Sequence, residues 1–510
     1  MEVVDNRPSK LDVRSGKVSY LKNYFAKVAE KERTSEAVAY MAALDSVKQA
    51  FPEIAASIVQ ELRDQRSHLK LIASENYSSL AVQLAMGNLM TDKYSEGYVG
   101  HRFYAGCGNV DAIEGQATDL AKKIFHADHA YVQPHSGADA NLVAFWSILI
   151  QKIQAKEIEA LGKKTLDELT ADEYEKVRQL LVNQKMMGMA LGSGGHLTHG
   201  YRHNISSKMM QAVSYEVDPE KGVLDYAVLQ AQAKKEKPLI LVAGYSAYPR
   251  LINFAVMREI ADSVGAVLLV DMAHFAGLVA GKVMQGDYNP IPFAHVVTST
   301  THKTLRGPRG GLVLCCKEFK ESVDRGCPIV LGGPLPHVMA AKALAFKEAI
   351  SPDFARYAHQ IVDNAKALAD ALIHLGISVL TGGTDNHLVL FNAAKSFGLT
   401  GRQAETLLTE ANLTVNRNSI PRDVNGPWYT SGIRLGTAAL TTLGMKQTQM
   451  KEVASIIYDL LKEAQPALDE KTGAPSRAKA SVPKNVLHRA KERVADLLKG
   501  FPLYPELVID

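Results

Sequence analysis

Disulfide chemistry is nearly closed to this chain, which carries only four cysteines, Cys107, Cys315, Cys316 and Cys327, in 510 residues. So few in so long a chain argue against a disulfide framework and for a reducing compartment. Cys315 and Cys316 end a strand-like run, which implies packing rather than metal binding. No apolar stretch approaches the roughly 20 residues that a membrane helix requires. No charged-then-apolar leader opens the sequence. A cytoplasmic protein without a membrane partner is therefore expected. Excess charge is missing too: the net is +4, and no dense basic stripe offers itself to nucleic acid. No repeat at solenoid periods is visible. What remains is an ordinary globular composition, 46% hydrophobic and 22% charged, in a chain long enough for more than one domain.

What is present begins with Lys303. It follows the apolar run Ala294-His295-Val296-Val297 and sits in the polar turn Thr298-Ser299-Thr300-Thr301-His302-Lys303-Thr304, with Gly307-Pro308-Arg309-Gly310-Gly311 just beyond. A lysine among hydroxyl residues and a histidine has the setting of a Schiff-base lysine. Partial burial beside other cations lowers its pKa, so that the neutral amine can attack a carbonyl. Alone, the same run describes a surface lysine in a turn. Upstream, Ala266-Val267-Leu268-Leu269-Val270-Asp271 is an apolar run ending in an acid. That suits a buried parallel strand with its carboxylate at the C-terminal edge, where ligands sit in open α/β sheets. By itself Asp271 could equally cap the next helix. Together, a lysine that takes an aldehyde and an acid that pairs with a protonated ring nitrogen are what pyridoxal phosphate requires.

At these residues the chain resembles the serine hydroxymethyltransferase family of fold-type I pyridoxal-phosphate enzymes. The motifs that carry the resemblance also include Leu71-Ile72-Ala73-Ser74-Glu75-Asn76-Tyr77, Tyr94-Ser95-Glu96-Gly97-Tyr98, Gly194-Gly195-His196-Leu197-Thr198-His199-Gly200 and Thr430-Ser431-Gly432-Ile433-Arg434-Leu435-Gly436-Thr437. They recur in family order across roughly residues 50 to 460.

The pattern along the chain gives an α/β fold. Helical stretches such as Asp111 to Phe125 alternate with short apolar runs such as Leu239 to Val242, which reads as a mainly parallel sheet. The resemblance implies the pyridoxal-phosphate-dependent transferase fold of type I, with seven strands in a large domain and a smaller α+β C-terminal domain. Residues 1–79 are expected to be an N-terminal extension, loose at Arg7 to Lys10, and a dimer-contacting helical segment. Within it Pro52 opens an amphipathic helix carrying Ile54, Ile58 and Leu62. Residues 80–355 are expected to form the large domain and 356–510 the small one. Residues 151–185 mix acids and bases, and Thr170-Ala171-Asp172-Glu173 is a capping-box pattern. A solvent-washed helical hairpin, inserted relative to the family, is expected there. Gln465 to Pro483, rich in Ala, Lys, Pro and Ser, reads as a surface linker.

The resemblance assigns the site residue by residue. Lys303, Glu96, His196, Thr300 and Asp271 are the catalytic set. Ser136, Gly137, Ala138 and His302 lie on the cofactor's phosphate side, where small residues at a helix N-terminus let backbone amides approach. His196 stacks on the ring, Ser246 and His274 surround its phenolic oxygen, and Arg309 supports the lysine turn. Tyr94 and Gly333 are offered by the adjacent subunit. Substrate falls to Ser74, Tyr94, Glu96, Tyr104, His274 and Arg434, whose fork matches a carboxylate. Folate falls to Leu191, Gly195, Leu197, Asn418 and Trp428. Departures from the family pattern are Ala138 for a usual serine, Phe103 for a tyrosine, Trp428 for a phenylalanine, Ala438 for a proline, and Ile329-Val330-Leu331 before Gly332-Gly333. His196, His199 and His203 also have zinc-like spacing, but the glycines around them argue against a regular helix, and no metal is expected.

The implied reaction converts L-serine and tetrahydrofolate reversibly to glycine and 5,10-methylenetetrahydrofolate, in at least a homodimer, with dimer or tetramer left open. One alternative keeps the cofactor but not folate, cleaving 3-hydroxy amino acids or racemising alanine. Another is a non-catalytic binding protein, against which the retention of Lys303, Asp271, His196 and Arg434 argues.

Overall fold

The computed structural model describes residues 19–468 and 473–509, so the loose start expected at Arg7 to Lys10 lies outside it. The dominant feature is a seven-stranded sheet of β1 (His129–Tyr131), β2 (Lys185–Met189), β3 (Gln211–Tyr215), β4 (Ile240–Gly244), β5 (Val267–Asp271), β6 (Val296–Thr300) and β7 (Gly311–Cys315), in the order β1-β7-β6-β5-β4-β2-β3. Neighbours from β6 to β3 are parallel, while β7 runs antiparallel to both β1 and β6. The α/β architecture with a mainly parallel sheet of seven strands is as expected. Every residue of β4, β5, β6 and β7 is buried. Continuous apolar runs are what a sheet covered by helices on both faces demands.

The register brings the chemistry together. Gly244 stands opposite Asp271, and Asp271 opposite Thr298. At Gly244 φ is +125°, and a Cβ there would come within 2.1 Å of the Asp271 carbonyl oxygen. Only glycine lets β4 approach the end of β5 so closely.

Helix α1 (Pro52–Ser67) begins at proline as expected, but its core side is Ala55, Val59 and Leu62. Ile54 and Ile58 point outward, 46% and 37% exposed, so the expected stripe divides between two faces. Helix α2 (Gly137–Leu149) runs on through 160, and after a turn α3 (Ala171–Val182) returns. The capping box holds: the Glu173 N–H donates to Thr170 Oγ1 at 3.3 Å and the Thr170 N–H to Glu173 Oε2 at 2.8 Å. Contrary to a wholly solvent-washed hairpin, Ile158 is buried, and Val177 and Leu181 join the sheet's own core.

A second core surrounds the antiparallel sheet of β8 (Leu388–Asn392), β9 (Asn416–Asn418) and β10 (Gly432–Gly436), ordered β8-β10-β9. Helix α4 (Pro336–Ala349) packs beneath the large sheet, while α5 (Pro352–His374), α6 (Gly401–Glu410) and α7 (Gln447–Leu461) surround the small one. The stretch expected as a linker is instead a β-hairpin, β11 (Gln465–Leu468) and β12 (Pro475–Ser481). It lies on α6, where Thr400 Oγ1 donates to the Arg477 carbonyl at 2.7 Å and Gln403 Nε2 to the Ser476 carbonyl at 2.5 Å. Arg477 reaches Asn425 Oδ1 at 2.9 Å and lies over the Tyr429 ring at 4.3 Å. The lysines and prolines that suggested a linker are also the residues that blunt an exposed edge strand.

Asn364 on α5 is fully buried. Its amide donates to Thr441 Oγ1 and the Met445 carbonyl, both at 2.9 Å, and its Oδ1 accepts from Gln360 at 2.9 Å. Asn364→Ala strands a buried carbonyl and is expected to cost about 2 kcal/mol, seen as a lower Tm in thermal denaturation with no change at the cleft.

Candidate active site

A cleft of about 760 Å³ opens at the C-terminal ends of β4, β5 and β6, with one wall from the small sheet. At its floor lies Asp271, 7% exposed. Its Oδ2 accepts from Asn141 Nδ2 at 2.9 Å and His199 Nε2 at 3.0 Å, and its Oδ1 from the Ala273 N–H at 3.0 Å. Burial pushes the carboxyl's pKa up. The His199 hydrogen bond, the electrostatic pull of the neighbouring His199 and His196 rings and the Asn141 bond outweigh it and hold the group well below the usual carboxylate range.

The partners are themselves fixed. The His196 N–H donates to His199 Nδ1 at 3.3 Å, which leaves the His199 proton on Nε2, facing Asp271. Asn141 Oδ1 accepts from Thr298 at 2.5 Å, so both amide hydrogens are free for Asp271 and for Thr198 Oγ1 at 2.7 Å. Thr198 in turn meets His196 Nδ1 through its N–H at 3.2 Å and its hydroxyl at 2.8 Å. Burial pulls His196 down to about 4, with Asp271 pulling the other way, so the ring is neutral. His196, His199 and Asp271 are close enough to hold a metal ion, but both ring nitrogens of His199 and both oxygens of Asp271 already take part in hydrogen bonds.

Lys303 is 8% exposed. Burial draws its ammonium down to about 8; Asp271 resists, and Arg434 and Arg309 add to the fall. At one end of the cleft Ser136 caps α2, its Oγ accepting from the Asp139 N–H at 3.1 Å. A Cβ at Gly137 would lie 2.6 Å from Thr300 Cγ2, so the bare backbone is what lets the helix N-terminus face the site. Ala138 brings no hydroxyl. Arg309 donates to His302 Nε2 at 2.8 Å, which places that ring's proton on Nδ1, a buried atom without a partner. Burial pulls His302 down to about 3, with Arg309 and Lys303 helping. An unpaired N–H beside free helix amides is the donor set an anionic group takes.

Across the cleft, Arg434 projects from the middle strand of the small sheet. Its NH1 donates to the Ser246 carbonyl at 2.6 Å and its Nε to Asn416 Oδ1 at 3.1 Å, which leaves N–H donors for a carboxylate. Burial lowers its pKa to about 10, still charged at neutral pH. His274 stacks on His387, centroids 5.4 Å apart, and burial drives His274 well below its ordinary value and His387 to about 3. Ser74 lines the same cavity, as do Leu191, Gly195, Leu197 and Asn418. Leu191 and Leu197 are 40% and 44% exposed, an apolar rim open to solvent.

Not every expected residue gathers here. Tyr94, Glu96, Tyr104 and Gly333 form a separate surface cluster. The Tyr94 and Tyr104 hydroxyls reach the Glu96 carboxylate at 3.5 and 3.3 Å, and their rings meet edge-on. Tyr94 packs so close to Gly333 that a Cβ there would clash with its ring. Phe103, beside them, is 73% exposed. Trp428 also stands off the cleft, with Arg402 over its ring, and its neighbour Pro427 is the lining residue. The Tyr94 to Tyr104 segment is anchored by Arg102, which bonds Asp111 at 2.8 Å, Glu114 at 2.5 Å and the carbonyls of Ser95 and Gly97, both at 3.0 Å. Sequence reasoning missed Asn141, His387 and Asn416, and left His199 without a role. For His199 alone there was a signal, its spacing from His196.

Residues 47–161 and 174–457 match the sequence model of a family described as serine hydroxymethyltransferase. The unmatched stretch between them falls in the charged helical pair. The chain is 58% identical over 489 residues to the serine hydroxymethyltransferase of Treponema pallidum, covering 96% of this chain and 85% of that one. It is 55% identical over 471 residues to that of Mycolicibacterium smegmatis, covering 92% and 95%, and 52% identical over 494 residues to that of Chlamydia trachomatis serovar D, covering 96% and 99%. With matches of this length running through the motifs that build the cleft, the chain belongs to the serine hydroxymethyltransferase family of enzymes.

Proposed function

We propose that this enzyme binds pyridoxal 5'-phosphate at Lys303 and converts L-serine and tetrahydrofolate reversibly to glycine and 5,10-methylenetetrahydrofolate. The observation that carries the reading is the pairing, in one cleft, of a lysine lowered to about 8 with a buried, hydrogen-bonded carboxylate. When bound, the cofactor supplies an aldehyde carbon for amines and a cationic ring that accepts electrons. The donors at its phosphate end would be Ser136, the α2 amides and the Nδ1–H of His302.

The chain's own residues do the rest. Asp271 stays ionised and favours a proton on a ring nitrogen placed against it. His196, neutral and held by Thr198, offers a flat face for stacking. Lys303 delivers a neutral amine near physiological pH. Arg434 takes the amino acid's carboxylate, with Ser74 beside it, and the fork sets which bond is aligned for cleavage. Leu191 and Leu197 give an apolar wall to the folate ring system, with Gly195, Asn418 and the Pro427–Trp428 turn around it. Thr300 and His274 complete the wall beside Lys303.

Glu96 is the proton carrier at the substrate hydroxyl. Because it lies with Tyr94, Tyr104 and Gly333 outside its own chain's cleft, the reading needs a homodimer in which these residues enter the partner's site. The outward Ile54 and Ile58 of α1 suit burial in that interface. The same reading divides the chain into a large part, 80–355, and a small one, 356–510, and places the enzyme in the cytoplasm. No helix among the described residues is long and apolar enough to cross a membrane.

Supplied with pyridoxal phosphate, the protein is expected to release glycine from L-serine rapidly only when tetrahydrofolate is present. Lys303→Ala should lower that rate at least about a thousandfold, and equal rates without folate would overturn the reading. Mixing subunits tests the shared site. Lys303→Ala and Glu96→Gln chains, each nearly inactive alone, should regain about a quarter of wild-type activity after co-refolding, since half the dimers are mixed and each holds one intact site. If Glu96 serves its own chain, mixing restores nothing.

The lowered lysine also predicts a pH-dependent stability. Its folded value of about 8 lies below its ordinary 10.5, so between those pH values the unfolded chain binds more protons and stability rises with pH. Below pH 8 the residue costs about 3 kcal/mol. In cofactor-free protein, Lys303→Met should therefore raise Tm at pH 7, and the gain should shrink by pH 9.5. An equal gain at both would contradict the burial argument.

A further inference from the structure

Lys342, on the inner face of α4, is 1% exposed. Its Nζ donates to the carbonyls of Val132 at 2.6 Å, Pro134 at 2.9 Å and Gly311 at 2.9 Å. All three ammonium hydrogens are thus used on backbone oxygens, and none of the ion pairs among the described residues neutralises the charge. Burial draws this ammonium down to about 7, with Glu114 and Asp139 pulling it up.

The location is specific. The β1–β7 ladder closes at Tyr131 opposite Val313. Beyond it the chain runs on to Pro134, which has no N–H to carry the ladder further. Two residues on is Ser136, the cap of α2. Gly311 begins β7 directly after the turn that carries His302 and Lys303, and its N–H donates to the Pro134 carbonyl at 2.8 Å. At Gly310 a Cβ would lie 2.4 Å from Lys342 Cε. One ammonium therefore ties the segment leading into Ser136–Gly137 to the segment leaving the lysine turn. An apolar side chain and a continued ladder would join two strands without desolvating a charge.

We propose that Lys342 is a positioning residue for the anion-binding end of the cleft. By drawing three carbonyls onto one nitrogen it sets the Ser136–Gly137 turn against Thr300, and its charge favours an anion at the adjacent α2 N-terminus. The proposal rests on the cofactor reading above and concerns binding rather than turnover.

The experiment uses cofactor-free full-length protein with two probes: inorganic phosphate, read as a rise in Tm, and pyridoxal phosphate, read as a dissociation constant by absorbance titration. Lys342→Met should abolish the phosphate-dependent rise and weaken pyridoxal phosphate at least about tenfold. Gly310→Ala, whose Cβ presses hardest on the lysine tip and less closely on Thr301 Oγ1 at 3.1 Å, should move both readouts in the same direction, and keeps the test open if Lys342→Met does not fold. Asn364→Ala, destabilised elsewhere, should leave both unchanged. Affinities within twofold of wild type in a folded Lys342→Met or Gly310→Ala protein overturn the proposal, as does an equal loss in Asn364→Ala. Failure of the wild-type protein to bind pyridoxal phosphate overturns the cofactor reading instead.

Discussion

A buried carboxylate kept ionised at the floor of the cleft is the constraint around which this protein is arranged. Asp271 can remain an anion there because three donors from three parts of the chain converge on it: Asn141 from α2, His199 from the turn after β2, and the Ala273 N–H just past β5. Two of the three are in turn oriented by something else. Thr298 on the next strand fixes the Asn141 amide, and the His196 backbone fixes the His199 tautomer. Removing any outer partner leaves a buried polar group unsatisfied, which is why such networks act as a unit.

The same economy of donors explains how two cores serve one site. The large sheet supplies the anion and the amine, and the small sheet supplies the guanidinium. Arg434 spans them by donating to the Ser246 carbonyl of one and Asn416 of the other. The opposing charges of Asp271 and Arg434 are therefore held by hydrogen bonds to their own surroundings rather than by each other, and both remain available to a ligand between them.

Much of this was legible in the sequence because it is written locally. Buried parallel strands declare themselves as unbroken apolar runs, and the capping box at Thr170 is a four-residue signal. Lys303, Asp271 and Arg434 each end or interrupt a strand pattern. What was not legible depends on long-range neighbours. Asn141 is an ordinary helix residue until β5 and β6 are placed beside it, and His387 needs His274 across 113 positions. The split of Ile54 and Ile58 from Leu62 could not be seen, because a helical stripe does not say how many surfaces it will meet. The hairpin of β11 and β12 was misread for the opposite reason. Its composition is that of a linker, and only its fit on α6 makes it a sheet.

That hairpin has a practical consequence. Through Arg477 it grips Asn425 and Tyr429, which bracket the turn holding Pro427 at the mouth of the cleft. The hairpin is thus part of the doorway, although it lines none of the cleft. Cutting the chain before this hairpin would remodel the entrance rather than merely trim the exterior.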